Sequence, residues 1–369
     1  MTEVYNLGLD AVTCHVWNEK HTEIALCPNN NEVYVYKQDA ASWKLSEILQ
    51  EHDQRIMGID WAPKTNRIVT CAADKTAYVW SQNTEGKWIP SWVLLRTNRA
   101  ATCVKWSPNE DKLAVGSGDR VISVCYFASE NNWWVSKHIK KPLRSTVTAI
   151  DWHPDNKVLA AGSTDYKIRV FSAYVRDIDN LNNNESSWGN STILGTLFAE
   201  FFSSGNGGGW VHDVAFSPCG TKLCWVGHNS SICIADSLKG NVVNRLFTEY
   251  LPFLRCVWLD CNFIITAGHD CMPMVYKVDE SGKLSFATKL DNTQKKEAAG
   301  LTAMRKFQSL DRQARTEIND SAVDSIHQNT ITCIRKLSKS RFSTSSLDGL
   351  LVVWDIKTPE LMMNSLRIN

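Results

Sequence analysis

The chain of 369 residues carries 40 basic and 39 acidic side chains, a formal net charge of +1 at pH 7. A charge this close to zero gives no general attraction to nucleic acid or to an anionic membrane surface. The hydrophobic fraction of 43% is ordinary for a globular protein. We find no run of 18 apolar residues, so the sequence predicts no membrane-spanning helix and no membrane insertion.

The N-terminus and the cysteines indicate a reducing compartment. The segment Met1–Tyr5 lacks the basic and apolar regions of a signal peptide. The 12 cysteines are irregularly spaced, and no C-x-x-C pair or clustered Cys/His run is present. We therefore expect a cytoplasmic protein with no metal site and no cofactor.

One pattern recurs along the chain. An alternating apolar strand ends in an aromatic residue, and about a dozen residues later a strand of small residues follows. A turn, usually carrying Asp, then leads into a short strand that ends in another aromatic residue. In chain order, the copies begin with residues 14–17, 59–63, 104–108, 150–154, 214–218, 256–258 and 332–334.

The spacing of the copies identifies the type of repeat. The aromatic residues that end the first strands step by 44, 45, 46, 64 and 42 residues, in the order Trp17, Trp61, Trp106, Trp152, Phe216, Trp258. Four of these five intervals lie near the period of roughly 40–45 residues of a four-stranded WD-repeat blade. The turn Asp and the closing aromatic also keep a constant spacing of six residues in Asp74–Trp80, Asp165–Phe171, Asp270–Tyr276 and Asp348–Trp354.

Seven copies predict an all-β fold, a single seven-bladed WD-repeat β-propeller over residues 1–369. One four-stranded blade cannot bury both of its faces, whereas a ring of blades buries them and leaves only short edges. The last copy ends at Trp354-Asp355 with few residues left. We therefore expect the segment around Val4–Leu7 to supply the outer strand of blade seven.

Two intervals are long enough to hold insertions. Residues 173–209 include the run Asn180–Ser187, which is typical of a solvated loop. Residues 291–325 contain strong helix formers after Gly300, and Thr302 is suited to cap the helix. The sequence thus predicts a short helix between blades six and seven. Its apolar side, around Met304 and Phe307, could pack back on the propeller or project towards a partner, and we predict that the helix projects.

Two sets of polar residues have a catalytic and a structural interpretation. His52 precedes the copy that holds Asp74 and Trp80, and His327 precedes the copy that holds Asp348 and Trp354. With a hydroxyl such as Thr70 or Thr344, each set resembles a triad. Because the set occurs in two blades, we favour a hydrogen-bonded network within the WD repeat, and we predict no catalytic residues.

A basic segment follows the third copy. It contains Lys137, Lys140, Lys141 and Arg144. Lysines often protect an edge strand from pairing with another chain. The alternative is a binding site for acidic peptides, and the residues alone leave both interpretations open.

With these residues in view, the chain resembles the family of WD-repeat subunits of the actin-related protein 2/3 complex, which nucleates branched actin filaments. The resemblance extends over almost the whole chain. It is carried by 59–63, 104–110, 216–218 and above all by the insertion Gly300–Ala303 with Phe307–Asp311. The generic repeat identifies only the fold, so the insertion is the specific part.

The resemblance implies a non-catalytic subunit, located in the actin cytoskeleton at the cell cortex. Its partners would be the other subunits of that complex, the existing actin filament and the acidic tails of nucleation-promoting factors. Leu301, Met304 and Phe307 would contact the filament, with Arg305 and Lys306 beside acidic actin. The acidic tails would meet the basic segment. The alternatives are a scaffold or substrate adaptor of another complex and an enzyme built on a propeller.

Overall fold

The structure is a computed structural model that describes residues 2–39, 42–179, 186–203, 208–279, 281–290 and 325–356. These residues form 28 β-strands and one short 3-10 helix, Ser237–Lys239. Strand β1 is Glu3–Asn6, and the strands that follow it build blades of four antiparallel strands each.

Blades one to three hold β2 to β13. Blade one consists of β2 (Cys14–Trp17), β3 (Glu23–Cys27), β4 (Glu32–Asp39) and β5 (Ser42–Gln50). Blade two consists of β6 (Ile56–Ala62), β7 (Arg67–Ala72), β8 (Ala77–Gln82) and β9 (Trp88–Val93). Blade three consists of β10 (Ala101–Trp106), β11 (Lys112–Ser117), β12 (Ile122–Ala128) and β13 (Trp133–Ile139). One parallel pairing, of Trp134 with Val93, joins the outer edges of blades two and three.

Blades four to seven hold the remaining strands. Blade four consists of β14 (Val147–Trp152), β15 (Val158–Ser163), β16 (Lys167–Ser172) and β17 (Leu197–Phe202). Blade five consists of β18 (Val211–Phe216), β19 (Lys222–Gly227), β20 (Ser231–Asp236) and β21 (Val242–Phe247). Blade six consists of β22 (Phe253–Trp258), β23 (Phe263–Gly268), β24 (Met274–Val278) and β25 (Leu284–Lys289). Blade seven consists of β26 (Ile331–Lys336), β27 (Arg341–Ser346), β28 (Leu350–Asp355) and β1.

The first strands of the blades close a ring. Strands β2, β6, β10, β14, β18, β22 and β26 each contact the next in that order, and β26 contacts β2. At the outer edge of blade seven, β1 pairs antiparallel with β28, so that Val4 lies opposite Val352. The prediction that the N-terminal segment supplies this strand is confirmed, as is the seven-bladed fold.

The hydrophobic core is divided among the seven blade-to-blade interfaces. Each core cluster takes its residues almost entirely from two neighbouring blades, as in the cluster where Leu49 of blade one meets Trp61 and Trp80 of blade two. The other six clusters follow the ring in the same way, and the last joins blade seven to blade one through Leu351 and Leu26. The apolar faces that a single blade leaves exposed are therefore covered by its neighbours.

The prediction of a solvated loop over residues 173–209 is wrong for part of this range. Leu197–Phe202 forms β17, the outer strand of blade four, and Phe201 pairs with Ile168. Trp188 is buried against Phe216 and donates a hydrogen bond to the carbonyl of Gly220 at 2.7 Å. Polar residues precede Trp188 and flank Leu197–Phe202, so the composition of the whole range resembles a loop.

The predicted helix in residues 291–325, with Leu301, Met304, Arg305, Lys306 and Phe307, lies outside the described residues. In the part of the chain that the structure describes, no helix has the length and apolar character needed to cross a membrane.

Candidate functional site

The polar residues predicted in blade two form one chain of hydrogen bonds. His52 Nδ1 lies 2.9 Å from Asp74 Oδ2, and His52 Nε2 lies 2.8 Å from Thr70 Oγ1. The indole N–H of Trp80 donates to the same hydroxyl at 3.0 Å. The backbone N–H of Asp53 also donates to Asp74, at 3.0 Å. The loop before β6 is thereby connected to the turn between β7 and β8 and to the core.

The pKa values favour an ionised Asp74 and a neutral His52. Burial lowers the pKa of His52, and the opposing effect of Asp74 does not cancel it. Burial alone would raise the pKa of Asp74, but hydrogen bonds from Thr76 and His52 outweigh burial and lower it. A neutral imidazole with its proton on Nδ1 donates to the carboxylate and leaves Nε2 to accept from Thr70.

Blade seven repeats this arrangement. His327 lies 3.2 Å from Asp348 Oδ2 and 2.7 Å from Thr344 Oγ1, and the indole N–H of Trp354 donates to Thr344 at 2.8 Å. The hydroxyls of both networks belong to fully buried threonines, each held between a histidine and a tryptophan. The geometry commits these hydroxyls to the packing of their own blades.

A second polar group lines the central channel and was missed by the sequence analysis. One cavity of the channel has a volume of about 420 Å³ and is lined by residues from the first strands of all seven blades. Three aspartates of these first strands accept hydrogen bonds from backbone N–H groups of the following blade. These bonds join Asp60 to Trp106, Asp151 to Phe216 and Asp213 to Cys256 at 2.7–3.0 Å.

Basic residues of the channel complete these connections. Arg335 of blade seven donates to the carbonyl of His15 in blade one at 3.0 Å and pairs with Asp60 of blade two at 3.1 Å. Lys105 pairs with Asp151 of the next blade at 2.6 Å. Burial opposes the charge on Lys105, but Asp151 and Asp213 outweigh it and raise its pKa. The charged groups of the channel thus join neighbouring blades to one another.

The sequence contained a signal for these charged residues of the channel. Asp60, Lys105 and Asp151 each stand directly before the aromatic residue that ends the first strand of a blade. Alternation places that position on the opposite side of the strand from the aromatic. A charged residue there, in a strand buried by neighbouring blades, needs a partner close to the ring axis.

The basic segment divides between two surroundings. One face of the ring carries the loops before each first strand and the turns between the second and third strands. We call it the upper face. Lys140, Lys141 and Arg144 are exposed in the upper-face loop between β13 and β14. Lys137 instead lies on β13, pairs with Asp177 at 2.7 Å and contacts the ring of Tyr126.

Further cations occupy the same part of the upper face. Arg99 is exposed in the loop before β10, and Arg120 is exposed in the turn between β11 and β12. Both belong to blade three, and the loop that carries Lys140 and Lys141 begins at the end of the same blade. The sequence analysis missed these arginines because the fold, and not their spacing in the chain, places them on this face.

Within the described ranges, no group of three or more His, Cys, Asp or Glu side chains is arranged to hold a metal ion.

The fold and the repeated networks define a WD-repeat β-propeller, and sequence comparisons agree. Residues 43–81 match the family profile described as WD domain, G-beta repeat. Residues 104–187 match the profile of the anaphase-promoting complex subunit 4 WD40 domain.

Similarity to individual proteins extends over nearly the whole chain. The chain is 49% identical to actin-related protein 2/3 complex subunit 1A-B of Xenopus laevis over 365 residues, which is 98% of each chain. It is 41% identical to subunit 1 of Schizosaccharomyces pombe, covering 93% of this chain and 96% of that protein. It is 38% identical to subunit 1B of Arabidopsis thaliana, covering 94% and 95%. The chain belongs to the family of actin-related protein 2/3 complex subunit 1.

Replacing Trp80 by Ala tests the packing between blades one and two. Trp80 is 3% exposed and Trp92, in the same blade, is 55% exposed. We expect Trp80→Ala to lower the free energy of unfolding by about 3–5 kcal/mol, because it leaves a cavity at the interface. Trp92→Ala should cost less than about 1 kcal/mol. Urea titration of the two variants measures both values, and equal losses would contradict the assignment of Trp80 to the core.

His212 predicts how stability depends on pH. Burial, with the charges of His228 and Arg255, lowers its pKa from 6.5 to about 4. The unfolded chain therefore binds the proton first, and stability falls as the pH drops from 6.5 towards 4. Allowing for solvent screening, the loss is at most about 2–3 kcal/mol. We expect His212→Gln to be less sensitive to acid in this range. Denaturant titrations at several pH values check this, and an unchanged pH dependence would contradict it.

Proposed function

We propose that this chain is a non-catalytic scaffold subunit of an actin-related protein 2/3 complex, working in the cytoplasm at the cortical actin cytoskeleton. The observation that carries the proposal is the similarity to subunit 1 proteins from a frog, a fission yeast and a plant along almost the entire chain. In this assembly the propeller binds other subunits of the complex and supports the nucleation of branched filaments.

A scaffold role is supported by how the polar residues are used. The two His–Asp networks hold loops to the core, and the charged residues of the channel connect neighbouring blades. A catalytic hydroxyl has to reach a substrate, whereas Thr70 and Thr344 are fully buried. The chemistry that these groups could offer is instead used to hold the ring together.

The insertion is proposed to contact the side of an existing actin filament. Leu301, Met304 and Phe307 would supply apolar contacts, while Arg305 and Lys306 would face acidic groups of actin. In protein interfaces a few aliphatic and aromatic anchors carry most of the binding energy. A helix that projects from the ring between blades six and seven would present such anchors without disturbing the blades.

Acidic tails of nucleation-promoting factors are the proposed ligands of the upper face at blades three and four. Lys140, Lys141 and Arg144 are exposed there, and Arg99 and Arg120 extend the same charge. Lys137 contributes less, because Asp177 already neutralises it. Electrostatic attraction of this kind speeds association and weakens with salt.

The filament contact is tested by changing Leu301 and Phe307 together to Ala. Two anchors worth roughly 2 kcal/mol each would reduce filament binding several-hundred-fold or more if their effects add. We expect the thermal midpoint of the chain to stay within a few degrees and the complex to assemble. Co-sedimentation with actin filaments and a branching assay on the reconstituted complex measure the effect. Unchanged branching, or a propeller that unfolds, would contradict the projecting helix.

The contact with acidic tails is tested by Lys140→Glu together with Lys141→Glu. Each reversal replaces attraction by repulsion, so we expect affinity for an acidic activator peptide to fall at least about ten-fold at low salt. The control is Lys277→Glu with Lys283→Glu, which reverses two exposed charges on blade six. Fluorescence anisotropy of a labelled peptide, titrated with the reconstituted complex, compares the two. If the two double variants bind the peptide with equal affinity, the acidic tails do not bind at this part of the upper face. If neither the variants nor the wild-type chain enters the complex, the proposed function is wrong, and a scaffold or substrate adaptor of another complex becomes the better interpretation.

A further inference from the structure

Two cysteines of neighbouring blades meet on the face of the ring opposite the upper face. Cys219 lies in the turn between β18 and β19 of blade five, and Cys261 lies in the equivalent turn between β22 and β23 of blade six. Strands β18 and β22 are in direct contact. The ring therefore brings together two thiols that are 42 residues apart in the chain.

The two side chains lie beside each other, because each thiol affects the pKa of the other. Cys219 is exposed and Cys261 is half-buried, whereas nine of the other ten cysteines are buried. This pair combines two adjacent thiols with access to solvent.

We propose that Cys219 and Cys261 form a reversible oxidation site, in which Cys219 reacts with a peroxide and Cys261 resolves it to a disulfide between blades five and six. Reaction with a peroxide needs an accessible sulfur whose anion is stabilised, and disulfide formation needs a second thiol within reach. The pair meets both requirements.

The neighbours of each sulfur assign the two roles. Ser217 Oγ and Thr221 Oγ1 each lie 3.2 Å from the Cys219 sulfur. Burial opposes ionisation of Cys219, but hydrogen bonds from these hydroxyls and from Cys261 outweigh it and lower its pKa to about 7. Burial and the charge of Cys219 raise the pKa of Cys261. At neutral pH the anion therefore forms on the more exposed sulfur.

The chemistry balances with hydrogen peroxide as oxidant. The Cys219 thiolate attacks one peroxide oxygen, an S–O bond forms, the O–O bond breaks, and hydroxide leaves and takes up a proton. The Cys261 sulfur then attacks the sulfenic acid, an S–S bond forms, the S–O bond breaks, and water leaves. Two thiols and one peroxide give one disulfide and two waters. A dithiol reductant reverses the result.

The experiment treats the full chain with hydrogen peroxide at pH 7 and maps its peptides by mass spectrometry without reduction. We expect a disulfide-linked pair of peptides containing residues 219 and 261, which a dithiol reductant separates. In Cys261→Ser the sulfenic acid should persist and be trapped by dimedone on Cys219. In Cys219→Ser no adduct should form on Cys261.

Two further variants make the result specific. Thr221→Val removes one of the two hydroxyls beside the Cys219 sulfur. It should slow the oxidation of Cys219 at pH 7 by roughly three-fold or more, because less thiolate is present. Cys103→Ala alters a partly exposed cysteine of blade three and should leave the linked peptides unchanged. The proposal is overturned if wild-type Cys219 proceeds to sulfinic acid without linking to Cys261. It is equally overturned if Cys219 and Cys261 react with peroxide at the same rate.

Discussion

The burial of apolar surface between neighbouring blades is the interaction on which the rest of this structure depends. A four-stranded sheet with two apolar faces is unstable alone, and each of the seven core clusters is built where one blade meets another. Blade seven shows the constraint most clearly, since its outer strand is β1 from the other end of the described chain. Every blade therefore depends on the closing of the ring.

Polar groups buried by the closed ring also need hydrogen-bond or charge partners. The first strands converge on a central channel, and charged residues there are bonded to backbone groups or opposite charges of other blades, as Asp60 of blade two is to Trp106 of blade three and to Arg335 of blade seven. Nearer the upper face, His52 and His327 join loops to buried threonines. These residues therefore hold the scaffold itself, because their polar groups are used within the ring.

The repeat made the blades predictable, because aromatic residues and turn aspartates recur at fixed spacing. Strand β17 was not predictable in the same way, since Trp188 and Leu197–Phe202 stand within a polar stretch that lengthens one interval to 64 residues. The pairing of Lys137 with Asp177 and the proximity of Cys219 to Cys261 connect parts of the chain about 40 residues apart. Such contacts follow from the geometry of the ring, and the periodicity of a single strand does not predict them.

The central claim is that the seven interfaces make the ring one cooperative unit. Hydrogen exchange followed by mass spectrometry across a urea series, on the full chain and on a chain lacking residues 2–7, tests it most directly. The account predicts that amides in the first strands of all seven blades lose protection together. Removing β1 should shift that transition to lower urea in every blade. Separate transitions for individual blades, or a loss confined to blade seven, would contradict the claim.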